Sequence, residues 1–162
     1  MSSGLCAVFS FLATCSQPAP VVTISPIYAS LAARDARMDA GSARDLINGY
    51  RRNSGLPPVV LDAVLMAEAE QQAQAMAAGG DVSKGVRNDI GKRLAAAGLG
   101  NRKVRESVSA GYFTISDAFS GWRGSPDHDA TLRFAPAKRM GIASVGRPGS
   151  RHNVYWSIVL SD

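Results

Sequence analysis

The sequence predicts an α+β fold, a three-layer α–β–α sandwich with a small antiparallel sheet between helices. Three observations carry this. Capped stretches with apolar residues at helical spacing recur along residues 42–132. Two strand-like runs close the chain around a GRPGS turn. The last run, NVYWSIVLS, is apolar on both of its alternating sets, so its strand must be covered on both faces.

The chain has 162 residues, 46% of them hydrophobic and 19% charged, which suits one globular domain. Its formal charge is +5 and its pI about 9.6. The 18 Lys and Arg are scattered, without the clustered stripe and interleaved aromatics of a nucleic-acid surface, so nucleic acid is not expected as a partner. A mild attraction to anionic envelope surfaces is what the charge implies. The cysteines, Cys6 and Cys15, both lie near the N-terminus, which leaves the folded part without a disulfide framework.

Residues 1–15 read as a signal peptide. The apolar run Leu5 to Ala13 is too short for a bilayer span and suits a secretory signal. Leu12-Ala13-Thr14-Cys15 resembles a lipoprotein cleavage box, in which Cys15 would carry the lipid anchor. Thr14 and the lack of a basic residue before the run depart from that pattern. Residues 16–41 read as a Pro/Ala-rich tether, because the prolines of QPAPVVTISP lack amide donors and fix φ. ASLAARDARM within it is read as a loose helix.

The domain is assigned to residues 42–162. Ser42-Ala43-Arg44-Asp45 has capping-box spacing and opens a helix that Gly55 closes. Leu56 to Val60, with two prolines, is extended. Asp62 caps a second helix whose inner face is Leu65, Ala69, Ala73 and Met76, and Gly79-Gly80 ends it. Asp89 precedes a third helix with Ile90, Leu94 and Ala97 on one face and Gly98 as its stop. KVRESVSAG alternates as a strand, with Val104, Glu106 and Val108 on one side. Thr114 to Asp117 is a second capping box, opening a helix with Ile115, Ala118, Phe119 and Trp122 in register. Ser125 then stands as an N-cap with Pro126 at the first helical position. Met140–Val145 and Asn153–Ser161 form the closing hairpin.

The succession LINGYRRNSGLPPVVLDAVLMAEAEQQAQAMA, ESVSAG, GWRGSPDHDATL, MGIAS and YWSIVL resembles a bacterial CAP-superfamily (SCP-like) domain over residues 43–161. The resemblance implies the sandwich, export to the periplasm, cell envelope or exterior, and a surface cleft lined by Glu106 and His128. Many members add a second His, and the helix GKRLAAAGL aligns Lys84 with that position. The only other His, His152, sits in the hairpin. The two-histidine site of the family is therefore incomplete in this chain.

Read on its own, Glu106 has two possible roles. It is a cleft acid, or it pairs with an Arg, a backbone amide or Lys84 and pins the sheet to a helix. His128 is likewise a cleft residue, or a solvated ring whose Asp127 and Asp129 neighbours favour the imidazolium. Zinc needs three or four ligands, and protonated Lys84 is a poor one, so no cofactor is expected and a zinc site would be weak. Ser125 belongs to the candidate cleft, yet no nucleophile elbow or phosphate-cradling Gly loop accompanies it. The leading expectation is an exported, envelope-associated domain that binds a small or lipidic ligand or a protein partner at Glu106 and His128. The alternatives are a hydrolase of envelope polymer with Glu106 as base and His128 as acid, and a scaffold with a vestigial cleft.

Overall fold

Side-chain caps set where the helices of this chain begin. A computed structural model describes residues 23–87 and 89–162, with only the backbone at Lys84. Helix α1 spans Ala40–Asn53. It starts earlier than the box at Ser42 predicts, because Asp39 Oδ1 accepts from the Ser42 amide at 2.6 Å. Ser42 is thus the donor at this cap. Gly55, at φ +71°, turns the chain away.

Strand β1, Val60–Leu61, leads into α2, Ala63–Gly79. Asp62 Oδ1 accepts from the amides of Val64 (3.0 Å) and Leu65 (3.1 Å), and Gly80 ends the helix in a left-handed conformation. A 3₁₀ turn, Lys84–Arg87, precedes α3, Ile90–Ala96, which Asp89 caps. Then follow β2 (Val104–Ala110), α4 (Ile115–Arg123), α5 (Pro126–Leu132), β3 (Arg139–Gly146) and β4 (Val154–Ser161). Thr114 Oγ1 caps α4 through the Asp117 amide at 3.0 Å. Ser125 holds the N-cap position of α5, yet its side chain makes no cap hydrogen bond.

The sheet order is β1-β3-β4-β2. β4 is antiparallel to both β2 and β3, as predicted. β1 departs from the expected antiparallel sheet and runs parallel to β3, pairing Val60 with Arg139 and Leu61 with Met140. The long connection from α2 to α5 supplies the crossover that a parallel pair requires.

β4 is buried along its whole length and divides the core. Val154, Trp156, Ile158 and Leu160 face α1, α4 and α5. Tyr155 and Val159 face α2 and α3. Trp122 meets Trp156 edge to face at 5.7 Å, and each indole N–H is satisfied, by Ser109 Oγ and by the Tyr112 carbonyl. On the other side, Leu65, Ala69, Ala73 and Met76 form the inner stripe of α2, all fully buried. The small Ala69 and Ala73 let α2 lie directly on β3. At Gly141 an added Cβ would collide with the backbone of Leu65 and Met66.

Two further features differ from what the sequence predicts. Ala97 is exposed, and Arg93 takes its place among the buried residues of α3. The stretch read as a loose helix, residues 29–38, forms no helix. Leu31 is 3% exposed, donates its amide to the Phe113 carbonyl at 2.7 Å, and lies with Ala33 against Gly146. Part of the segment read as a tether is therefore packed on the sandwich. No helix among the described residues is long and apolar enough to cross a membrane.

Candidate functional site

β2 is an edge strand, and its alternation sends neighbouring side chains into different layers. Ser107 Oγ bonds Thr131 Oγ1 of α5 at 2.8 Å, and Ser109 Oγ accepts from Trp122 of α4 at 2.9 Å. Glu106 points the other way, toward α2 and α3. Its side chain is 1% exposed and its Oε1 accepts from Arg93 Nη2 of α3 at 2.5 Å. Ser157 Oγ of β4 donates to the same oxygen at 3.4 Å.

Arg93 is itself buried, and its Nη1 reaches Glu68 Oε2 of α2 at 3.1 Å. Glu68 also takes Arg87 Nη1 at 3.0 Å, and Arg87 Nη2 bonds Gln71 Oε1 at 2.7 Å. The charges form a chain from Glu106 to Arg93, Glu68 and Arg87, joining β2, α3, α2 and the 3₁₀ turn. Burying a carboxylate requires such pairing, and a guanidinium supplies it without titrating near neutral pH. Of the two roles open to Glu106, the helix-to-sheet ion pair describes this geometry, with Arg93 as its Arg.

His128 lies on α5, in the other layer. It is half-buried, and its Nδ1 is buried without a hydrogen-bond partner. Neither described contact of Glu106, to Arg93 or to Ser157, involves it. Asp129, beside it, accepts from the Tyr50 hydroxyl at 2.5 Å and lies 3.7 Å from Arg133 Nη1. The bond to Asp129, helped by burial, holds the Tyr50 hydroxyl above its ordinary pKa. The Ser125 carbonyl accepts from the Asp129 amide at 2.8 Å. His152 sits edge-on to Tyr155 at 5.8 Å, in the hairpin. Lys84 belongs to the 3₁₀ turn, and its side chain lies outside the described part, as does Cys15.

A hollow of about 340 Å³ wraps the edge of β2. Asp89 and Ile90 form one wall, Asp127, Ala130 and Thr131 of α5 the other, and Val104, Arg105 and Glu106 lie between them. The hollow thus joins Glu106 to α5, while His128 and Ser125 are not among its lining residues. A larger groove of about 580 Å³ runs over α3 along the Glu68, Arg87 and Arg93 network.

These residues do not fit a two-histidine zinc centre. Glu106 already faces a guanidinium, which repels a cation, and no imidazole joins it in the hollow. Among the described residues no group of three His, Cys, Asp or Glu side chains could hold a metal.

Arg93 and Glu68 went unread in the sequence. The signal was their register: Arg93 stands three residues after Ile90, and Glu68 three after Leu65, both on stripes that face the core.

No curated protein sequence matches this chain. The solved structure of an outer surface protein of Borrelia burgdorferi matches with a TM-score of 0.67 at 14% identity, covering 78% of this chain and 97% of that one. An extracellular protein of Bacillus anthracis containing an SCP domain matches at 0.63 and 19% identity, over 74% of this chain and 39% of its own. A cysteine-rich secretory protein of Staphylococcus aureus matches at 0.59 and 16% identity, over 74% and 36%. At these identities the likeness is one of fold, and the chain spans about two fifths of the Bacillus and Staphylococcus proteins. The family profile described as CAP, the cysteine-rich secretory protein family, matches residues 44–160. With all but the first turn of α1 and the last residue of β4 inside that match, the chain belongs to the CAP family.

Proposed function

We propose that the domain is an exported, envelope-associated binding module without catalytic chemistry, which takes a polar ligand in the hollow at the edge of β2. The observation that carries this is the state of Glu106. Its carboxylate is 1% exposed and bonded to Arg93 at 2.5 Å. A general base must meet the proton it removes, and a carboxylate that is buried and neutralised by a guanidinium meets none. His128, the acid of the hydrolase reading, does not line the hollow.

The ligand class follows from the rim. Asp89, Arg105 and Asp127 present charges, which a polar ligand can satisfy and an acyl chain cannot. Export is supported by the family and by the extracellular and outer-surface descriptions of the Bacillus and Borrelia proteins. Anchoring through a lipid on Cys15 completes the reading, and mass spectrometry of the membrane fraction tests it.

The test of the module is incubation with purified envelope sacculi. The expected result is binding without release of reducing ends or amines. Release that disappears in Glu106→Gln, with the fold retained, would establish the hydrolase instead. Zinc titration by calorimetry is expected to give no tight stoichiometric binding.

A further inference from the structure

The hollow beside β2 does not end at α5. Arg105 and Ala130 line both it and a second groove of about 390 Å³, which continues past Asp129, Arg133 and Phe134. The two form one trough across the strand edge and along α5. Arg105 is exposed, and among the described residues it forms no ion pair. Its guanidinium lies 5.5 Å from the centre of the Phe134 ring, which fixes the flat group without neutralising it. Arg133 is half exposed, and among the described residues its carboxylate partner, Asp129, stands at 3.7 Å with another bond to the Tyr50 hydroxyl. Asp127 is exposed on the first wall.

From this arrangement we infer that the trough binds an acidic oligosaccharide, with Arg105 and Arg133 receiving its carboxylates and Asp127 and Asp129 accepting from its hydroxyls. The inference rests on the polar-ligand reading of the hollow and names the ligand. Guanidinium forks match carboxylate geometry. An acidic peptide offers the carboxylates lining the same trough one backbone amide per residue, whereas each sugar ring offers them several hydroxyl donors. An acidic sugar chain is the ligand that supplies both kinds of group along one backbone.

Calorimetric titration of the full chain with a galacturonate oligosaccharide tests this. Binding is expected to weaken as salt rises. Arg105→Gln and Arg133→Gln should each lower affinity about tenfold, the loss of one charge-assisted hydrogen bond. Lys138→Gln, an exposed cation outside the trough, should leave it unchanged. Absence of binding, indifference to both Arg changes, or equal binding of poly-L-glutamate would overturn the inference. A neutral maltooligosaccharide separates it from the reading beneath: binding that Asp127→Ala abolishes and the Arg changes spare keeps the polar-ligand site and removes the acidic one.

Discussion

Two arginines, both missed by any rule that puts charge outside, hold this domain together. Arg51 is fully buried at the end of α1, and burial lowers its pKa. Its guanidinium donates to the carbonyls of Pro57 (2.9 Å), Leu132 (2.8 Å), Phe134 (3.1 Å) and Ala137 (3.4 Å). One side chain thereby satisfies the turn after α1 and the link from α5 to β3. Arg51→Met takes the guanidinium donor from the Pro57, Leu132 and Ala137 carbonyls, while the Phe134 carbonyl keeps the Ala137 amide. It is expected to cost more than about 3 kcal/mol by urea denaturation, since each orphaned polar group costs about 1–3 kcal/mol. Arg93 acts at the other face, where its removal strands Glu106, and Arg93→Met is expected to cost about 3–5 kcal/mol. Asp62 contributes acid sensitivity. Partial burial pushes its carboxyl up, but the amides of Leu65 and Val64 and the Arg139 guanidinium bring it below the ordinary range. Its contribution is present above the unfolded value near pH 4 and is lost as pH falls through the lower folded value. The stability gap between the native chain and Asp62→Asn should shrink between about pH 7 and about pH 3.

Elements differ in how firmly their ends are set. Thr114 makes its cap bond and Ser125 does not, although both occupy N-cap positions. Thr114→Ala should cost about 1 kcal/mol and Ser125→Ala only a few tenths, a contrast that thermal unfolding resolves. Strand β3 and helix α2 depend on the absence of a side chain at Gly141, where the neighbour is backbone and cannot rotate aside. Gly141→Ala is expected to destabilise by about 1–3 kcal/mol, read from the urea midpoint.

At the scale of the molecule, the sandwich was legible because its signals are local. Caps at Asp62, Asp89 and Thr114, the stripe from Leu65 to Met76, and the two-sided strand Val154–Ser161 each point to an element and to the face it buries. β1 escaped because two residues carry no periodicity and its parallel pairing depends on contacts far along the chain. The pairing at Glu106 was foreseen only as one of two possibilities. An ion pair between a helix and a strand follows no spacing rule, and on the inner face of α3 the apolar Ile90 and Leu94 carry a stronger signal than Arg93. His128 was tied to Glu106 by resemblance; the Glu106 carboxylate faces α3, and His128 lies on α5, which packs on the Ser107 side of β2. On the proposed reading the hollow meets its ligand through Arg105 and Asp127.

The claim on which the rest turns is that Glu106 serves Arg93 and not a substrate, and a double-mutant cycle measures it directly. Glu106→Gln, Arg93→Met and the double variant are unfolded in urea and the coupling energy is taken from the four stabilities. A coupling of about 2 kcal/mol or more, with the double variant more stable than Arg93→Met alone, is the predicted result. Additive losses would contradict it and return Glu106 to the pool of groups free to act on a ligand.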